Sequence, residues 1–462
     1  MQSLTPRLSI TLVLILFMLG AALYWGGSVT SHKPQVPPPL PATFSQTVVL
    51  SNPTDPYYPL AEEIAQTETL LLVRTLDEAL ARNPVFLLWV VSPSALSDRV
   101  LSDFGLAMRD RQSAISVGLI SGSTEEKARE LWQQQSLFNN RCFAAVAREG
   151  RISSPDERHA TQQPLTRENL LNTLRQADYL IYDGHGTRRS FGLPDKDALL
   201  VSADIPPLPP LVVSAGACQT FRLWSEDSIA LGFTDRGAAA YAGFVHSPNG
   251  YLMGQPDGFP WRYTWPEFPI GHAIQVQNHG LQQGSLYWPF YLLLGDPRLA
   301  LQKEAPYTLV DDYEAANTRI LHFSNAPAGI IPVYIPDAAQ YSFVAIPNVA
   351  AAWAGDPFYS GTLQMINIGA DKYLLFIHRG GDFTVRLAPQ PPWYWPVVDP
   401  LIDALDHTTV IHHFAGSLWP NLAITGSVLL VIGWLLLRRK VSSAPGTYSI
   451  TRKSVSRSVS KS

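Results

Sequence analysis

The chain has 462 residues, room for two or three domains, with 16% charged and 46% apolar residues and a formal net charge of −4. Charge that is sparse and slightly acidic supplies no basic face, and this excludes nucleic acid as a partner. Only two cysteines occur, Cys142 and Cys218, which excludes a disulfide scaffold and any CxxC zinc or redox motif.

Arg7 stands before a charge-free stretch over 8–25, and Gly26, Gly27 and Ser28 offer only a weak cleavage signal. Residues 1–27 therefore read as an uncleaved signal-anchor with a transmembrane helix. Residues 28–58, with Pro37-Pro38-Pro39, read as a semi-extended linker. From 59 to 303, helical spacing over 68–83, 95–111, 125–135 and 167–176 alternates with short apolar runs at 85–91, 115–120, 143–147, 179–182, 211–213 and 238–245. Such alternation predicts a three-layer α/β/α domain whose mainly parallel sheet is covered on both faces.

Beyond 303 the runs become short and closely spaced, at 330–335, 341–346, 361–368, 372–378 and 383–387. Turn residues punctuate them, among them Gly355-Asp356-Pro357 and Gly380-Gly381-Asp382, and residues 304–395 are expected to form a small β-sandwich. Its last residues carry Trp393, Tyr394 and Trp395, suited to a membrane interface, and 396–413 form a juxtamembrane segment. Residues 414–437 are charge-free, apolar on every face and bordered by Trp419 and Trp434; they read as a second transmembrane helix. Arg438, Arg439 and Lys440 follow, and 438–462 form a Ser-rich basic tail. By the positive-inside rule Arg7 and this triplet are cytoplasmic, which places both termini inside and the main domains outside.

In open parallel sheets ligands bind beyond the carboxyl ends of the strands. The run at 179–182 leads into Asp183-Gly184-His185-Gly186, and that at 211–213 into Ser214-Ala215-Gly216-Ala217-Cys218. A free thiol titrates near pH 8.5, so a nucleophilic cysteine needs an imidazole or amide dipoles beside it. His185 and Cys218 are the candidate pair. Gly184, Gly186 and Gly216 let a substrate backbone approach, and the amides of Gly186 and Cys218 are candidate oxyanion donors. Asp183 suits two roles equally, orienting His185 or making the turn. Arg188 and Arg189 suit a solvated loop better than contact with an acidic substrate group, and Cys142 reads as a core thiol. His272 and His279, seven positions apart, share a helical face without a carboxylate and read as structural, so no metal site is expected. His407, His412 and His413 lie near the membrane and carry no assigned chemistry. HExxH, GxSxG and Walker A motifs are absent.

His185-Gly186 and Ala217-Cys218, each after a buried strand and in this order, resemble the caspase-like clan of cysteine peptidases. Asp235-Arg236-Gly237-Ala238-Ala239-Ala240-Tyr241-Ala242-Gly243 and Leu293-Leu294-Gly295-Asp296-Pro297 are similar to stretches of its gingipain family, over roughly residues 59–301. The resemblance implies a cysteine endopeptidase acting on proteins or peptides through an acyl-enzyme, with Cys218 as nucleophile and His185 as acid and base. It requires no cofactor and is compatible with structural calcium. The same scaffold also serves a sortase-like transpeptidase, or a non-catalytic envelope binding protein.

Overall fold

The computed structural model describes residues 47–110, 115–134, 144–148, 150–153, 162–192, 198–247, 264–284, 291–301, 304–347, 350–353 and 363–393. Cys142, His407, His412, His413 and both expected membrane spans lie outside them. Among the described residues no helix is long and apolar enough to cross a membrane.

Strand formation begins earlier than the sequence suggests. Thr47–Leu50, read as part of the linker, is a fully buried strand, β1. α1 (Tyr58–Thr67) follows, and the helical spacing over 68–83 resolves into β2 (Leu71–Val73) and α2 (Leu76–Arg82). Thr75 marks the break: its backbone is extended, and its side chain accepts the Glu78 amide as an N-cap. β3 (Phe86–Val90), α3 (Asp98–Asp110), β4 (Ser116–Ile120) and α4 (Glu125–Gln134) complete the first half. The second half opens with β5 (Ala144–Arg148), the short β6 (Arg151–Ser153) and β7 (Gln163–Pro164), α5 (Arg167–Leu174) and β8 (Tyr179–Asp183). A small separate sheet, β9 (Gly186–Thr187), β10 (Ser190–Gly192) and β11 (Ala198–Val201), precedes β12 (Val212–Gly216). α6 (Ile229–Thr234), β13 (Ala240–Phe244), α7 (Ile270–Gly284) and β14 (Tyr291–Leu294) close the domain.

The large sheet has 11 strands in the order β2-β1-β3-β4-β14-β13-β12-β8-β5-β6-β7. It is mainly parallel, as expected, but in two blocks. β2, β1, β3, β4 and β14 run one way; β13, β12, β8 and β5 run the other, and the blocks meet at an antiparallel β13–β14 seam. The carboxyl ends of the two blocks therefore face opposite edges. Helices cover both faces. Along β1, Val48 and Leu50 enter one core with Leu80 of α2 and Phe104 of α3, while Val49 enters another with Leu60 and Ile64 of α1. Burial on both sides is why these strands read as continuous apolar runs. The Gly295-Asp296-Pro297 stretch after β14 staples the seam to the first block. Arg298 donates to Asp296 (Nη2, 2.5 Å) and to Glu68 beyond α1 (Nη1, 2.6 Å), and Trp132 of α4 donates to the same Glu68 carboxylate at 2.8 Å.

The remaining strands, β15 (Thr308–Ala315), β16 (Thr318–Ile335), β17 (Phe343–Ile346), β18 (Ala350–Trp353), β19 (Leu363–Ile368) and β20 (Asp371–Ala388), form one six-stranded antiparallel sheet. The two runs expected at 372–378 and 383–387 are one strand, β20. Gly380 and Gly381 do not reverse the chain: at φ +90° and +89° they bend it where β16 shifts register between Phe323 and Ala326. The bent ribbon encloses Leu321, Phe323, Ile331, Val333, Leu374, Phe376, Val385 and Leu387. From its other face Ile366, Ile368, Tyr373 and Leu375 join Phe268, Ile270 and Ala273 in a core shared with α7 and the large sheet.

Candidate active site

β8 and β12 are adjacent and parallel, with Val212 opposite Tyr179 and Gly216 opposite Asp183. Two residues further along each chain stand His185 and Cys218. Because the register is level, both residues leave the sheet at the same edge, from strands about 4.8 Å apart. A close contact confirms that the tips meet: a Cβ on Gly186 would lie 2.8 Å from the Ala217 Cβ and 2.9 Å from the Thr220 Cγ2. His185 is exposed and Cys218 half-buried, so both are accessible to solvent.

The chain turns sharply after Cys218. Gln219 is left-handed at φ +60°, and the Thr220 hydroxyl donates to the Ala217 carbonyl at 3.2 Å. The segment then runs beside the extension of β13. The amides of Gln219 and Phe221 donate to the carbonyls of His246 (3.4 Å) and Phe244 (3.0 Å), and Arg222 Nε donates to the Val245 carbonyl (3.1 Å). The β12 tip that leads to Cys218 thus lies between two strand tips followed by histidine, His185 beyond β8 and His246 beyond β13. Arg222 lies 3.1 Å and His246 Nδ1 3.8 Å from the Asp98 carboxylate on α3. Burial lowers the pKa of His246, against the opposing pull of Asp98.

The Gly192 amide donates to the His185 carbonyl at 2.8 Å, and Gly186 pairs with Phe191. In an antiparallel ladder that pattern makes Gly186–Phe191 the pair without mutual hydrogen bonds, so the Gly186 amide points away from β10. Asp183 forms an ion pair with Arg148 at the tip of β5 (3.3 Å), both side chains being partly exposed (36% and 38%). Arg189 lies 3.3 Å from Glu226, and Arg188 and Arg189 form the exposed turn between β9 and β10.

His272 is structural. It is buried against Phe86 (ring centroids 4.8 Å) and Tyr373 (4.8 Å), with Nδ1 2.6 Å from the Ser116 hydroxyl. Burial pushes its pKa down to about 3, which keeps the ring neutral. The His279 side chain lies outside the described residues, and among the described residues no group of His, Cys, Asp or Glu forms a metal cluster. Sequence reading missed His246, Arg148 and Tyr182. His246 had a usable signal, since the apolar run read over 238–245 stops one residue before it.

No family model matches this sequence, and no curated protein is significantly similar to it. Among solved structures the chain aligns with the Arg-specific cysteine proteinase gingipain R, with a TM-score of 0.38 and 12% identity over 72% of this chain and 92% of that one. A complex of the pro- and mature domains of RgpB from Porphyromonas gingivalis aligns with a TM-score of 0.37 and 11% identity over 73% of this chain and 94% of that one. At these scores the likeness assigns neither a family nor a site.

Proposed function

We propose that this chain is a membrane-anchored, extracytoplasmic cysteine endopeptidase with a Cys218–His185 dyad. The observation that carries the proposal is the level register of β8 and β12, which brings an exposed imidazole and an accessible thiol to neighbouring strand tips. The Cys218 thiolate attacks the scissile carbonyl carbon, and the amides of Gly186 and Cys218 receive the developing oxyanion. As the C–N bond breaks, His185 gives its proton to the departing amine. It then takes a proton from the water that hydrolyses the thioester, and the thiol is regenerated. No step calls for a cofactor.

The test uses the full-length chain in detergent, an activity-based thiol probe and a fluorescence-quenched peptide library, with melting measured in parallel. Cys218→Ala is expected to abolish turnover and labelling without unfolding the protein, and His185→Ala to be nearly as damaging. The double variant should be scarcely worse than either, because the two residues act as one unit. Cys142→Ala should turn over at a rate close to wild type. A folded, fully active Cys218→Ala protein, or a Cys142–Cys218 disulfide found by mass spectrometry, would end this reading.

A further inference from the structure

Tyr182 takes no part in the chemistry above, yet its hydroxyl sits against the main chain of His185. It donates to the His185 carbonyl at 2.7 Å and accepts from the Gly192 amide at 2.9 Å. That amide also donates to the His185 carbonyl, at 2.8 Å, so the three groups close a triangle. The ring cannot wander: it is 3% exposed and stacked on Phe191, with centroids 4.0 Å apart and planes 5° apart. Phe191 in turn lies against Phe233 of α6 at 5.4 Å. Burial pushes the Tyr182 phenol up to about 12, so the proton it donates stays in place at working pH. The loop also wraps the hydroxyl closely, since a Cβ on Gly184 would lie 3.0 Å from it.

His185 is exposed, so packing does little to aim its imidazole, and its direction depends on the backbone that carries it. We propose that Tyr182 is a positioning residue, whose hydroxyl fixes the main chain from which His185 is directed at Cys218. This rests on the peptidase reading. Loss of the hydroxyl leaves the fold in place but lets the imidazole drift from the thiol. Such a fault appears in the chemical step and not in binding.

The test measures kcat and KM separately for the full-length chain in detergent, on a quenched peptide selected from a library with the wild type. Tyr182→Phe is expected to lower kcat about tenfold, with KM changed by less than about twofold and only a few degrees lost in melting. Phe233→Leu is the comparison: it loosens the packing one layer behind the ring but leaves the Tyr182–Phe191 stack and the hydroxyl triangle, and should lower the melting temperature while kcat per folded molecule stays near wild type. An unchanged kcat in Tyr182→Phe would overturn the positioning role. So would a loss carried by KM, or one that merely follows the fraction of folded protein. A wild type that neither cleaves peptides nor takes up a thiol probe would remove the peptidase reading and the positioning role together. An active wild type with an unaffected Tyr182→Phe would remove the positioning role alone.

Discussion

Gly186 shows how little separates the tips that carry His185 and Cys218. A methyl group there would press on Ala217 and Thr220 at 2.8 and 2.9 Å, closer than carbon atoms approach, so Gly186→Ala must move the histidine tip off the cysteine tip. Misplacement of this kind is felt by catalysis before stability, and kcat/KM is expected to fall at least about tenfold. Melting should fall only by the few degrees typical of a local repacking. Peptide hydrolysis measured beside thermal melting checks this, and an unaltered kcat/KM would show that the tips do not act together. The placement of His185 and Cys218 at strand tips was legible in the sequence because each lies a few residues beyond a buried apolar run, and a strand can deliver a residue to a sheet edge only at its end. Arg148 and Tyr182 were not. Their partners, Asp183, the His185 carbonyl and the Gly192 amide, are brought to them by strand pairing and by the β9–β10 hairpin, which leave no trace in local composition.

At the scale of elements, β20 carries an anomaly. Lys372 is 1% exposed and has one hydrogen bond, from Nζ to the Asn367 Oδ1 at 2.6 Å, with no carboxylate partner among the described residues. Burial lowers its pKa from 10.5 to about 8. Between those two values the unfolded chain holds the proton that the folded chain has released, so this group makes stability rise with pH from about 8 to 10.5. Below pH 8 the folded state bears the full cost of the buried charge, roughly 3 kcal/mol for a displacement of that size. Lys372→Met should therefore raise the melting temperature at pH 7, and the advantage over wild type should shrink as pH rises towards 10.5. Melting at pH 7 and pH 10 decides it; an equal or larger advantage at pH 10 would show that the buried ammonium is not the cause. The neighbouring bend at Gly380-Gly381 was read as a turn because two adjacent glycines usually end a strand. The partner strand β16 bends alongside them, and the ribbon continues.

For the molecule as a whole, the expected topology has residues 28–413 outside a membrane, between spans at 1–27 and 414–437 flanked by Arg7 and by Arg438, Arg439 and Lys440. Protease shaving of intact cells should then remove the α/β domain and the antiparallel sheet while sparing a C-terminal tag. Loss of the tag under the same treatment would contradict it. The shared core of α7 with Ile366, Ile368, Tyr373 and Leu375 predicts that the two units are released by shaving as one stable fragment.

Composition, run length and short motifs were enough to establish an α/β domain with a mainly parallel sheet, the alternation of its elements, and a histidine and a cysteine at two strand tips. These properties depend on neighbours within a few residues, where backbone propensity and burial act directly. The reversal of sheet polarity at β13–β14 depends instead on contacts between residues such as Tyr241 and Leu294, far apart in the chain. So do the absorption of Thr47–Leu50 into the sheet, the Arg298–Glu68 staple and the triangle at Tyr182. Several partners are chemically acceptable at each of those places, and only the packing of the whole chain selects among them.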